Sequence, residues 1–222
     1  MIQIAIDGPS GAGKSTVAKA VARELGIIYV DTGALYRTIG YFVRSRNVDP
    51  KDPEGVASLL PEISVELKYE NGRQIVCLNG EDLGERIRTP EMSMYASAVS
   101  AIPAVRTFLL ETQRKIAREN SVIMDGRDIG TVILPDASVK IFLTASDECR
   151  AMRRRDELVA KGIEVTYEEV LADMRERDRN DSTRAVAPAV AAEDAILLDN
   201  SWMSPDECMA AIIKIVKEKT EA

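Results

Sequence analysis

The sequence predicts an α/β fold: a parallel sheet flanked by helices, with a small antiparallel insertion and a helical hairpin towards the C-terminal end. Three observations predict it. Short apolar runs rich in branched residues alternate with stretches of helical periodicity along most of the 222 residues. Between about residues 62 and 88 the period changes to strict alternation, punctuated by Asn-Gly pairs. The first strand meets the first helix at Gly8-Pro9-Ser10-Gly11-Ala12-Gly13-Lys14-Ser15, which matches G-x-x-x-x-G-K-[ST].

In order along the chain, Ile2 to Ile6 reads as a buried strand, and Lys14 to Leu25 as a helix with Val17, Ala18, Val21, Ala22 and Leu25 on one face. The glycines between them suit a tight loop whose N–H groups, with the helix N-terminus, form a cavity for an anion. Lys14 would reach the outer phosphates of a nucleotide, and Ser15 would offer its hydroxyl to Mg2+. A glycine-rich turn fitting the pattern by chance is the alternative; strand, helix and position together argue against it. Gly26 ends the helix, and residues 27–30 read as a second strand. Asp31-Thr32-Gly33 leads into a helix over 34–46 with Leu35, Ile39, Phe42 and Val43 inward. Thr32 and Arg37 fall where ligands collect in parallel sheets, at a strand's carboxyl end. Thr32 could equally cap the helix.

Residues 47–53 form a loop, and 53–60 a short helix. Ile63, Val65, Leu67 and Tyr69 alternate, as do Ile75, Cys77 and Leu83, with turns at Asn71-Gly72 and Asn79-Gly80. This is an antiparallel meander over about 62–88, inserted outside the central sheet. Thr89 caps a helix to Ser100 with Pro90 first, and Pro103 starts another to Glu119. Arg106 lies in that helix's first turn, where the dipole opposes a cation; a bound anion would explain it, and so would simple solvation.

Residues 122–125 read as a strand ending in Asp125, the expected partner of a phosphate loop for holding magnesium or its waters. In Gly126-Arg127-Asp128-Ile129-Gly130-Thr131, an Asp and an Arg stand close behind that acid, and charges near a core need partners. A strand follows at 139–143, then a helix from Ser146 to about Lys161 with Arg150, Arg153, Arg154 and Arg155, and a second from Thr166 to about Arg179. Arg175, Arg177, Asp178, Arg179, Asp181 and Arg184 crowd the run before Ala185-Val186-Ala187-Pro188. Solvated helices with i,i+4 pairs are one reading; a mobile lid bringing arginines over phosphates is the sharper one. The last strand is 195–199, and the last helix begins at Pro205 with Met209, Ile212, Ile213 and Val216 inward.

Composition narrows the chemistry. The chain has no histidine, which removes His–Asp triads, phosphohistidine relays and His-ligated metals. Three widely spaced cysteines form no C-x-x-C pair and read as reduced structural thiols in a cytoplasm. A net charge of −7 argues against a nucleic-acid polymer as partner. No signal peptide and no membrane span is expected. A phosphate loop, a magnesium hydroxyl, an acid at a strand end and many arginines fit phosphoryl transfer, which needs positioning and charge neutralisation. The surplus of arginines suggests two phosphate-bearing ligands, the second near Arg37, Arg106 and Arg127. The N/T-K-x-D segment of a GTPase is missing from the sequence, so a small kinase is favoured.

Four segments carry a resemblance: Ile6-Asp7-Gly8-Pro9-Ser10-Gly11-Ala12-Gly13-Lys14-Ser15-Thr16, Asp31-Thr32-Gly33-Ala34-Leu35-Tyr36-Arg37, Asp125 to Thr131, and Arg184 to Pro188. At these spacings the chain resembles the bacterial cytidylate kinases, within the nucleoside monophosphate kinases, over nearly its whole length. The resemblance implies transfer of the γ-phosphate of ATP to CMP or dCMP, with Mg2+, on a core of five parallel strands. It implies a core at about 1–35, 103–145 and 185–222, a monophosphate-binding region with the β insertion at about 36–102, and a lid at about 150–184. Gly8 to Thr16 would hold ATP; Ser15 and Asp125 would serve the metal; Lys14, Arg127, Arg153 and Arg177 would carry the transfer, with Arg154 or Arg155 as further lid candidates. Thr32, Arg37, Ser97, Arg106, Arg127, Asp128, Asp181 and Arg184 would hold the acceptor, Ser97 and Asp128 reading the cytosine. The family implies a monomer. A kinase for another small acceptor, a different nucleotide or a shikimate-like molecule, and a nucleotide-dependent regulator are the alternatives.

Overall fold

In the computed structural model, which describes residues 1–70 and 73–220, β1 (Gln3–Asp7) is buried from Ile4 onward and continues through the glycine loop into α1 (Lys14–Leu25). Gly26 closes α1, and β2 (Ile28–Asp31) leads into α2 (Thr32–Ser45). Then come α3 (Pro53–Leu59), β3 (Val65–Glu70), β4 (Arg73–Leu78) and β5 (Glu81–Asp82), followed by α4 (Pro90–Ser100) and α5 (Pro103–Glu119). The chain ends with β6 (Val122–Gly126), β7 (Val139–Thr144), α6 (Asp147–Ala160), α7 (Tyr167–Thr183), β8 (Ile196–Asp199) and α8 (Pro205–Thr220). Five strands form one parallel sheet in the order β2-β6-β1-β7-β8, with β1 central. Strands β3, β4 and β5 form a separate antiparallel sheet.

The chain divides into two compact units. The first is Met1–Tyr29 with Asn120–Ala222, and the second is Val30–Glu119. Residues 103–119, grouped with the core in the sequence analysis, fall in the second unit. The first unit's core packs Ile4 and Ile6 of β1 and Ile141 and Leu143 of β7 against Val17 and Val21 of α1 and Ile212 and Val216 of α8. On α8 the fully buried positions are Cys208, Ile212 and Val216; Met209 and Ile213 pack at the margin. The second unit's core centres on Leu35, Ile39 and Val43 of α2, with Val99 of α4 and Leu109 of α5.

Helix starts follow the sequence cues closely. Thr89 accepts the Met92 N–H at 3.2 Å with Pro90 first in α4, and Ser146 accepts the Cys149 N–H at 3.2 Å. Thr166 and Glu169 form a reciprocal capping box at α7. Three expectations need correction, and one element was not anticipated. Asp31, not Thr32, caps α2: its carboxylate accepts the Ala34 N–H at 2.9 Å, and Thr32 is the first helical residue. Helix α7 runs on to Thr183, four residues beyond Arg179, because Asp181 is buried and ion-paired within it. The meander ends at Asp82; Leu83 is buried, but a 3-10 turn over Gly84–Ile87 follows it. Finally, β6 leads into a π turn over Ile129–Ile133 that no periodicity announced. The Asn79-Gly80 turn is present, with both residues at positive φ (50° and 84°), as a two-residue hairpin requires. The expected Asn71-Gly72 turn lies outside the described residues.

Among the described residues no single helix is long and apolar enough to cross a membrane. None of the three cysteines is in a disulfide.

Candidate active site

In the first unit the loop from Gly8 to Ser15 joins β1 to α1. Gly8 has φ 147°, and a Cβ there would stand 2.0 Å from the Leu143 carbonyl oxygen, so only glycine fits between β1 and β7. Neighbouring elements hold the loop. Asn200 Nδ2, just past β8, donates to the Ala12 carbonyl at 2.9 Å. Asp178 of α7 accepts the Ser10 N–H at 2.8 Å, and Arg150 of α6 donates to the Ser10 carbonyl at 2.7 Å. Arg150 and Asp178 also pair with each other. The helical hairpin therefore grips the loop through Arg150 and Asp178 while its own small core closes on Ala151, Leu158, Val170 and Met174.

Lys14 is buried, and its ammonium donates to the Gly8 and Pro9 carbonyls at 2.8 and 2.7 Å. Burial, then repulsion from Arg127, holds its pKa well below the usual lysine range. Such a cation gains from an anion in the loop, as phosphate would supply. Next to it, the Ser15 hydroxyl donates to one Asp125 carboxylate oxygen, and the Tyr29 hydroxyl donates to the other at 3.2 Å. This hard-oxygen pair fits Mg2+, which takes one or two protein ligands and completes its shell with waters and phosphate oxygens. Among the described residues no group of three or more acids, cysteines or histidines could cage an ion by itself. Ser15 and Asp125 would thus supply only part of such a shell.

The turn after β6 gathers the remaining charges. Arg127 Nε donates to Asp181 Oδ2 at 3.0 Å, and Arg177 Nε lies 3.9 Å from the same oxygen. Arg184 lies 3.4 Å from Asp128 Oδ1 and donates through Nε to the Ala187 carbonyl at 2.7 Å. Asp128, Asp181 and the Arg184 side chain are all buried. Three guanidinium groups thus gather at two buried carboxylates, and planar forks of this kind suit phosphate oxygens. Behind the turn, Asp7 accepts the N–H groups of Ile129 and Gly130 at 2.8 and 2.7 Å. Burial pushes the Asp7 carboxyl up to about 6, against the pull of those two bonds. Arg153 donates to Asn200 through both terminal nitrogens, at 3.0 and 2.8 Å. Arg154 and Arg155 are half-buried and pair with Glu157 and Asp156.

In the second unit, Asp31 is the organising charge. Arg37 donates to its Oδ2 at 2.8 Å and Arg88 to the same oxygen at 3.1 Å. Burial raises the Asp31 pKa, but the two arginines and the Ala34 N–H outweigh it, so the net displacement is downward. Thr32 is buried at the head of α2, and Ser97 is half-buried on α4. Arg106 is 8% exposed, donates to the Ser100 carbonyl at 3.1 Å and lies 5.6 Å from the Tyr36 ring centroid. The solvated alternative for Arg106 therefore falls.

Sequence reasoning missed Asp7, Gln74, Arg88 and Asn200, and gave Arg150 and Asp178 no individual role. Asp7 had a signal, since it stands directly before the loop glycines. Asn200 and Gln74 had none, because their partners are remote in sequence.

Comparison with known proteins bears on this arrangement. A family model described as cytidylate kinase matches residues 4–218. The cytidylate kinase of Thermosipho melanesiensis is 50% identical over 217 residues, covering 98% of this chain and 97% of that one. That of Mycobacterium leprae is 48% identical, covering 100% and 98%. Among solved structures, a shikimate kinase from Acinetobacter baumannii in complex with shikimate superposes with a TM-score of 0.50 at 13% identity, covering 100% of this chain and 96% of that one. At that identity the likeness is one of fold. The sequence likeness, near half identity from end to end, goes further: this chain is a kinase and belongs to the cytidylate kinase family.

Proposed function

We propose that the chain transfers the γ-phosphate of ATP to CMP and dCMP, giving ADP with CDP or dCDP. The observation that carries this reading is Asp128: a buried carboxylate, fixed beside Arg184, at the position of the family motif that would accept from the exocyclic amine of cytosine. Gly8 to Thr16 hold the donor's phosphates through backbone N–H groups, with Lys14 on the outer ones. Ser15 and Asp125 would hold magnesium, which would supply charge neutralisation at the phosphates. Arg127, Arg153 and Arg177 stabilise charge on the transferring group; one such arginine is worth ~10³–10⁵ in rate in related chemistry. Thr32, Arg37, Ser97 and Arg106 engage the acceptor, and Asp181 and Arg184 its sugar or phosphate. Residues 150–184 act as a lid. The protein works as a monomer in the cytoplasm.

An ADP-release assay with CMP, dCMP, UMP, AMP, GMP and shikimate tests the reading. CMP and dCMP should turn over fastest, and Lys14→Ala should abolish transfer to every acceptor. Equal or lower turnover of CMP and dCMP than of the other acceptors rejects the assignment.

A further inference from the structure

Both backbone groups of Ser10 are taken by the helical hairpin. Its N–H donates to Asp178 Oδ1 at 2.8 Å, and its carbonyl accepts from Arg150 Nη1 at 2.7 Å. Arg150 stands near the start of α6 and Asp178 near the end of α7, so the two helices meet the loop at the same end of the hairpin. Arg150 also pairs with Asp178 and with Asp147, and Asp147 accepts from Arg175 Nε at 2.8 Å. Charges of alternating sign thus lock the root of the hairpin, from Arg175 through Asp147 and Arg150 to Asp178, and the last two also hold the loop.

The next residue is keyed into the same place by shape. Gly11 has φ 71°, and a Cβ there would stand 2.8 Å from Met174 Cε and 3.1 Å from the Arg150 carbonyl oxygen. The hairpin does not require these contacts for its own sake. Its helices already close on Ala151, Leu158, Val170 and Met174, and Arg150 already has Asp147 as a counter-charge. What a carboxylate on the Ser10 N–H adds is a fixed peptide at the entry of the anion-binding turn. The Asp178 charge also favours the protonated form of Lys14. With the Arg150 and Asp178 side chains 6% and 19% exposed, salt screens this pair little.

We propose that Asp178 is a positioning residue for the phosphoryl donor: with Arg150 it sets the Ser10–Gly11 bend of the phosphate loop from the root of the hairpin. The inference rests on the reading that Gly8 to Thr16 hold the donor, and it is independent of which acceptor is used.

Calorimetric titration with ADP and magnesium, together with the KM for ATP and for the acceptor that turns over fastest, tests it. Asp178→Ala should weaken ADP and raise the KM for ATP roughly tenfold, the equivalent of one hydrogen bond to a charged group. The KM for the acceptor should stay within about twofold, the scatter expected when no direct contact is lost. Asp178→Asn, which keeps an acceptor for the Ser10 N–H but not the charge, should recover part of the loss. A residue that merely stabilises the hairpin would lower the melting temperature without splitting the two KM values. Unchanged or tighter ADP binding in Asp178→Ala, or equal rises in both KM values, overturns the proposal. If Asp178→Ala does not fold, Asp178→Glu is scored the same way, since it keeps the charge for Arg150 but carries its oxygens one methylene away from their place at Ser10. Lys14→Ala separates the two ideas. If it binds ADP as tightly as the wild type does, the donor is not held at this loop and the proposal falls with that reading. If it loses ADP while Asp178→Ala keeps it, the proposal alone is overturned.

Discussion

Asp7 accepts the backbone N–H of Gly130 at 2.7 Å, tying the residue before the phosphate loop to the turn that follows Arg127 and Asp128. Its other oxygen takes the Ile129 N–H at 2.8 Å. The loop and the charged turn of the first unit thus share one buried carboxylate. Asp7→Ala leaves two buried donors unsatisfied and should destabilise the protein by roughly 2–4 kcal/mol, whereas Asp7→Asn, which keeps one acceptor, should lose about half of that. Urea denaturation of the three proteins at pH 7 checks the order. Equal stability of Asp7→Ala and the wild type would remove the anchoring role.

The same carboxyl sets a pH dependence. Its pKa in the folded protein is about 6, against 3.8 as the ordinary value. The folded state therefore binds the Asp7 proton more tightly than the unfolded chain does. The stability this contributes is fully present below about pH 3.8 and is lost as pH rises through 6; over that window it amounts to something on the order of 2–3 kcal/mol. Carboxyls with lowered pKa, such as Asp31 and Asp147, act in the opposite sense, so the Asp7 part must be read as a difference. The stability gap between wild type and Asp7→Asn should widen in favour of the wild type as pH falls from 7 to 4.5. A gap that stays constant or shrinks contradicts the assignment.

Asp128 and Asp125 are separated by two residues but should fail in different ways. Asp128→Ala should raise the KM for CMP far more than that for ATP, because a base-reading carboxylate acts on the acceptor and Arg184 holds it in place. Steady-state kinetics with each substrate varied in turn decides this, and similar increases for both would count against base reading.

Asp125→Asn should instead raise the magnesium concentration that gives half-maximal activity, and Ser15→Ala should do so more weakly, since the hydroxyl and the carboxylate form one oxygen pair. Saturating magnesium should restore much of the rate. A fall in maximal rate with no change in the magnesium requirement would place both residues outside the metal's shell.

Local chemistry was legible in the sequence, and long-range chemistry was not. Thr89, Ser146 and Thr166 announced their helices because a cap needs only the next three residues. The phosphate loop was legible because its glycines, lysine and serine are contiguous. The strand before Asp125 was legible from its apolar run, and it extends one residue further, to Gly126. The π turn at Ile129–Ile133 left no trace in periodicity, since what holds it is Asp7, more than a hundred residues away. For the arginines of the helical hairpin, composition suggested a site but not a division of labour. Arg150 proved to be a buried clamp on Ser10, Arg153 a partner of Asn200, and Arg154 and Arg155 partners of Glu157 and Asp156. Only the partners distinguish them, and partners are a property of the fold.

Asn200 offers the sharpest test of those remote contacts. It is 3% exposed, its Nδ2 donates to the Ala12 carbonyl at 2.9 Å, and its Oδ1 accepts from Arg153 at 3.0 Å. One amide therefore fixes the phosphate loop and a candidate catalytic arginine together. Asn200→Ala should raise the KM for ATP roughly five- to fifteenfold, the equivalent of about one hydrogen bond, and leave the KM for CMP nearly unchanged. Asn200→Asp keeps an acceptor for Arg153 but sets a carboxylate oxygen against the Ala12 carbonyl. If the loop contact matters most, Asn200→Asp should be worse for ATP than Asn200→Ala; if the Arg153 contact does, it should be milder. Kinetics on both variants, with melting temperatures to confirm folding, separates the two, and an unchanged KM for ATP in both would show that neither contact bears on donor binding.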